Sequence, residues 1–117
     1  WGCALSRLQR KGRLAWTYLT LEDRKLSGYT GNDDADLSNI LSSMDDVDIT
    51  ILFIEQKPDH VKVSWRAQPG LNVSGIAFEF GGGGHAPAAG AEIYAPLAEV
   101  LPRVLAATEV LLQNGKK

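Results

Sequence analysis

Residues 47–67 read VDITILFIEQKPDHVKVSWRA, and they decide the fold. In the first ten, both alternating sets are apolar: Ile49, Ile51 and Phe53 on one side, Leu52 and Ile54 on the other. A strand of that kind must be covered on both faces, as in a sheet flanked by helices. KPDH at 57–60 predicts a hairpin turn, because Pro58 presets φ and Asp59 bonds its own backbone. The returning strand, 61–67, alternates cleanly, with Val61, Val63 and Trp65 facing one way and Lys62, Ser64 and Arg66 the other.

Outward from this hairpin, helices and strands alternate. Residues 14–20, LAWTYLT, are rich in strand formers. Before them Trp1, Ala4, Leu5 and Leu8 recur at helical spacing until Gly12. That predicts a short helix over 1–12, the remnant of an interdomain helix, with the domain proper at 13–117. Asp34 or Asp36 suits the cap of a helix carrying Leu37, Ile40, Leu41 and Met44 on one face. Asn72 is placed to cap a short helix with Val73, Ile76, Ala77 and Phe80. Residues 90–95 predict a last strand. Leu97, Val100, Leu101, Val104, Leu105, Thr108, Leu111 and Leu112 then predict a final helix. Pro102 predicts either its start or a kink, since an interior proline costs about 3 kcal/mol. The expected fold class is α/β: a single domain whose small mixed β-sheet, of about four to five strands, is flanked by helices.

Composition bounds the function. A chain of 117 residues, 44% hydrophobic and 22% charged, is an ordinary globular domain. Its net charge of −2 argues against holding long nucleic acid through many phosphate contacts. Arg7, Arg10, Lys11, Arg13, Arg24 and Lys25 nevertheless crowd the first quarter, and Asp33, Asp34, Asp36, Asp45, Asp46 and Asp48 the next. Two solvated faces account for these runs. The basic one leaves open an alternative function, a non-catalytic RNA- or tRNA-binding module. The single Cys3 excludes an internal disulfide and points to a reducing, cytoplasmic setting. No apolar run approaches the roughly 18 residues of a membrane span, and no signal-peptide pattern opens the chain. A first residue of Trp1 predicts a piece of a longer protein.

GGGGHAPAAG at 81–90 carries the chemistry. Consecutive glycines lose much backbone entropy on folding, so they persist where the chain approaches something closely or adopts positive φ. Successive backbone N–H groups in such a turn form a concave anion site, and His85 adds a donor. Ala86, Ala88 and Ala89 leave room for a ligand. A tight helix-to-strand turn with a surface histidine is the plainer alternative. A phosphate-binding loop of the nucleotide triphosphatases is excluded, because His85-Ala86 stands where Lys-Ser or Lys-Thr is needed. A dinucleotide fingerprint is excluded as well, because its glycines lead from strand to helix.

GGGGHAPAAG, preceded by VKVSWRA at 61–67 and NVSGIAFEF at 72–80, resembles the DHH-associated domain of the first type, the C-terminal partner of the Asp-His-His (DHH) phosphoesterase domain. The resemblance is strongest over 47–94. The glycine-rich pattern of the C-terminal domain of alanyl-tRNA synthetase lacks this histidine arrangement. The family's relatives include nano-oligoribonucleases, phosphatases of 3′-phosphoadenosine-5′-phosphate, cyclic-dinucleotide phosphodiesterases and RecJ-type exonucleases. What the resemblance implies is a substrate-binding domain that grips a nucleotide or short single-stranded oligonucleotide. A covalently linked N-terminal DHH domain would hold manganese or another divalent metal, and this chain would hold no cofactor. By position, Arg66 matches the family's substrate-binding arginine and Ser64 the serine two residues before it. Gly82, Gly83, Gly84 and His85 match the loop that contacts substrate phosphate. Ala67 departs from the pattern, where a second serine is usual.

The residues themselves offer no catalytic centre. Two-metal hydrolysis needs several carboxylates and histidines around the ions, and the chain has only His60 and His85 and no Asp-His-His triplet. His60 is expected to be an exposed turn residue. NDDAD at 32–36 lacks the glycine and closing glutamate of a calcium loop. The isolated chain is therefore expected to be inactive, and the resemblance implies a metal-dependent phosphoesterase as its parent.

Overall fold

In the computed structural model, residues 8–23 and 46–115 are described. Six strands form one mixed sheet in the order β1-β2-β3-β4-β6-β5. They are β1 (Gln9–Lys11), β2 (Leu14–Leu19), β3 (Ile49–Lys57), β4 (His60–Ala67), β5 (Gly83–His85) and β6 (Ala88–Ile93). Helix α1 (Ser74–Glu79) lies between β4 and β5, and α2 (Leu97–Gly115) follows β6. The α/β class and the mixed sheet are as expected. Two short strands raise the strand number above the expected four to five.

One of these is β1, where the end of a helix over 1–12 was expected. It pairs antiparallel with β2, from Gln9↔Trp16 to Lys11↔Leu14. Gly12, with φ +61°, is the first of two turn residues, a position where positive φ matches the twist of a hairpin. Residues 9–11 thus belong to the domain's own sheet. Residues 1–7 and the helix expected over 34–44 lie outside the described residues.

Strands β2 and β3 run parallel, so a crossover must join them. It opens on a reciprocal cap: Thr20 N–H donates to Asp23 Oδ2 at 2.8 Å, and Asp23 N–H donates to Thr20 Oγ1 at 3.1 Å. Residues 21–23 begin a helical turn there.

The core lies between the sheet and the two helices. Ile49, Ile51 and Phe53 of β3 and Val61, Val63 and Trp65 of β4 are fully buried against Val73, Ile76, Ala77, Val100 and Val104. Trp65 donates its indole N–H to Thr108 Oγ1 at 3.1 Å, and Thr108 donates to Val104 O at 2.8 Å, so the polar tip of a buried ring is satisfied. Pro102 lies inside α2 rather than at its start. Both it and Ala98, whose carbonyl loses its helical donor, are exposed, so the missing bond falls on the solvent side of the helix. Leu52, Ile54 and Leu19 form a second, smaller cluster on the sheet's other face.

Candidate functional site

That other face carries the polar row of β4. Lys62, Ser64 and Arg66 are half-buried, while Val61, Val63 and Trp65 are fully buried. Cross-strand partners share a face, and successive same-face rows lie about 6.8 Å apart at roughly 3.4 Å per residue. Arg66 pairs with Ala88 of β6, and Ala88 pairs with His85 of β5. Ser64 pairs with Gly90, and Gly90 with Gly83. One row is therefore Arg66–Ala88–His85, and the next Ser64–Gly90–Gly83. The arginine, serine and histidine expected in the site converge on one surface, with a methyl group and two glycines as its floor.

Arg66 and His85 make no ion pair or side-chain hydrogen bond among the described residues. A guanidinium fork and an imidazole without protein partners, on either side of a small-residue lane, suit a tetrahedral oxyanion. Backbone bonds hold the two together. Ala67 N–H donates to Pro87 O at 2.9 Å, and Val73 N–H to Ala86 O at 3.0 Å. The turn joining His85 to Ala88 is thereby pinned against the end of β4.

The glycine run works differently from a nest of four free amides. Gly81 N–H donates to Phe78 O at 3.0 Å and Gly82 N–H to Ala77 O at 2.8 Å, which closes α1, with Gly81 at φ +87°. That is a Schellman ending, in which the left-handed position is best filled by glycine. Two amides of the run are spent on the helix, and Gly83 and Gly84 continue into β5. Gly82 and Gly84 are required by packing: a Cβ on Gly82 would strike Gly90 O and Ala91, and one on Gly84 would come within 2.5 Å of Ala89 Cα. Gly83 differs. A Cβ there would meet nothing, and its φ is not positive. Neither fold nor strain accounts for Gly83 being glycine.

Residues outside the expected site complete the face. The third row is Lys62↔Glu92. Beyond it His60, expected to be exposed, is only 15% exposed at its side chain and bonds Glu92 Oε1 through Nε2 at 2.9 Å. Its ring stacks on Tyr94, with centroids 4.4 Å apart and planes at 21°. A shallow hollow of about 400 Å³ lies beside these rows, lined by Lys62, Gly81, Gly82, Gly90, Ala91, Glu92 and Tyr94. The contact of His60 with Tyr94 depends on strand register, so no local motif announces it.

Among the described residues, two members of the basic run pair with two of the acidic run. Arg10 donates to Asp46 Oδ2 at 2.6 Å and Arg13 pairs with Asp48 at 2.8 Å, while Lys11 pairs with Glu109 at 3.0 Å. The hydrogen bond from Arg10 holds the Asp46 carboxyl below its ordinary range, and the bond to Asp48 raises Arg13. Each of these three cations is held in an ion pair. Arg7, Arg24 and Lys25 lie outside the described residues. Among the described residues no three His, Cys, Asp or Glu side chains gather to hold a metal ion. No helix among them is long and apolar enough to cross a membrane.

Known proteins bear on this geometry. The bifunctional oligoribonuclease and PAP phosphatase NrnA of Mycoplasma pneumoniae is 42% identical over 53 residues, 45% of this chain and 16% of that protein. An exopolyphosphatase-related protein from Bacteroides fragilis superposes with a TM-score of 0.89 at 27% identity, over 99% of this chain and 35% of that one. The C-Ala domain of Aquifex aeolicus alanyl-tRNA synthetase superposes over 89% of this chain and 96% of its own at TM-score 0.62 and 18% identity, a likeness of fold. The chain thus spans only a part of the first two relatives. The profile of the DHHA1 domain matches residues 16–114, the stretch that holds every row of the polar face, and the chain belongs to the DHHA1 domain family.

Proposed function

We propose that the face formed by β4, β6 and β5 binds a phosphate group of a nucleotide or short single-stranded oligonucleotide. The chain would be the substrate-binding part of a metal-dependent DHH-type phosphoesterase of the cytoplasm. Manganese or another divalent metal, and with it hydrolysis, belongs to a covalently linked DHH domain. In this reading Arg66 grips two phosphate oxygens through its fork, His85 donates from the opposite strand, and Ser64 donates from the neighbouring row. Gly82 and Gly84 let β5 lie close against β6, and Gly83 keeps the approach open.

The observation that carries this reading is the single register row Arg66–Ala88–His85, with both polar side chains lacking partners among the described residues. Titration of the chain with 3′-phosphoadenosine-5′-phosphate tests it. Losing one charge-assisted bond of about 1.5–3 kcal/mol predicts roughly ten- to hundred-fold weaker binding for Arg66→Ala, and a smaller loss for His85→Ala. Undiminished binding by both variants refutes the assignment.

A further inference from the structure

Among the described residues, Phe78, Tyr94 and Val110 are the large apolar side chains left exposed. Val110 lines a hollow of about 360 Å³ between α1 and α2. Phe78, 77% exposed, stands on α1 beside Gly75 and Glu79, which line the same hollow. The two helices cover the face of the sheet opposite Arg66 and Ser64, so the hollow is separate from the polar face.

Gly75 has no need within the fold to be glycine. Its φ is not positive, and a Cβ there would meet nothing within 4 Å. Glycine inside a helix is also less stable than alanine. What the missing side chain does is keep the hollow open on the α1 side. Ala107 adds only a methyl group on the α2 side, and Ile76 and Leu111 give the hollow an apolar lining. Such an opening suits an aromatic ring.

The same helix carries that ring. Residues three apart are neighbours on a helix surface, and Gly75 and Phe78 are both exposed. A knob and an opening therefore lie side by side on α1. A two-fold axis passing between residues 76 and 77 lays each copy's Phe78 over the Gly75 of the other, because every contact in such an interface occurs twice. That antiparallel register sets Glu79 opposite Ser74, so the Glu79 carboxylates of the two copies do not oppose each other.

We infer that two copies of this chain associate through α1, with Phe78 of each entering the hollow at Gly75 of the other. The contact is small. A helix of 6 residues, about 9 Å long, buries less than the roughly 1,200 Å² of a stable complex, so association is weak and reversible.

Sedimentation equilibrium of the full 117-residue chain, carried up to about 1 mM, tests this in the range where so small an interface forms. A dimer is expected to grow in with concentration. Phe78→Ser removes a ring from each copy and should weaken association at least roughly a hundred-fold. Gly75→Leu, which fills the hollow, should also abolish the dimer while preserving the urea midpoint of the monomer, since a side chain there meets no neighbour. In a mixture of isotope-labelled and unlabelled chain, filtered nuclear Overhauser effects should connect Phe78 ring protons to Gly75 of the other copy. A chain that stays monomeric overturns the inference and leaves the hollow to a different molecule. A dimer equally tight in wild type, Phe78→Ser and Gly75→Leu overturns it as well, and moves the contact elsewhere. Neither result touches the phosphate reading, which Arg66→Ala decides.

Discussion

The three glycines before His85 differ in what they do, and substitution separates them. Gly84 combines φ +150° with a Cβ position 2.5 Å from Ala89 Cα. Gly84→Ala is expected to lower stability by about 1–3 kcal/mol, the cost of a strained backbone region, before any steric repair. Gly83→Ala meets no neighbour and should leave the urea midpoint nearly unchanged while reducing affinity for 3′-phosphoadenosine-5′-phosphate. Equal stability of the two variants would remove the distinction. The sequence did point to Gly82, Gly83, Gly84 and His85 as a group. It did not separate them, because a glycine required by its neighbour and one that meets no neighbour look alike in one dimension. The amide nest expected over 81–84 is reduced for a related reason: closing α1 takes the N–H groups of Gly81 and Gly82, and helix ends compete for any donor within reach.

Among the elements, β3, β4 and α2 were legible, because nine, eight and nineteen residues are long enough for a period to repeat. Strands β1 and β5 have three residues each, all exposed. An edge strand with no buried side has no alternation to show, and β5 is mostly glycine. The Thr20–Asp23 cap that opens the crossover is a readable signal, Thr-x-x-Asp, that the strand-forming run of 14–20 masked. The joint between sheet and helix rests on polar atoms that periodicity does not reveal. Thr108→Val keeps the volume but removes the acceptor of the Trp65 indole. A loss of about 1–3 kcal/mol is expected in urea denaturation, because the donor stays buried without a partner. An unchanged midpoint would show that the bond contributes nothing net.

At the scale of the whole molecule, some charges that look segregated in sequence are paired in space among the described residues. Arg10 reaches Asp46 across 36 positions, through the β1–β2 hairpin and the parallel pairing of β2 with β3. Arg10 and Asp46 are well exposed, so the pair contributes modestly and is screened by salt. Its sign with pH is definite. Asp46 titrates below its unfolded range when folded, so its contribution is present above the unfolded value of about 4 and fades as pH falls through the lower folded value. Wild-type chain should therefore lose stability on acidification more steeply than Asp46→Asn in low salt. Identical acid profiles of the unfolding midpoint would show the pair to be inert.

The lane of β6 between Arg66 and His85 has a further consequence. Ala88 extends no farther than a methyl group, so nothing in that lane adjusts the gap. The roots of the guanidinium and the imidazole stand two ladder steps apart, about 9.5 Å by the spacing of adjacent strands. The polypeptide thus acts as a caliper whose jaws are set by the main chain and trimmed only by side-chain rotation. Repacking the core behind Trp65 changes how firmly the instrument is held, and leaves the width it measures alone.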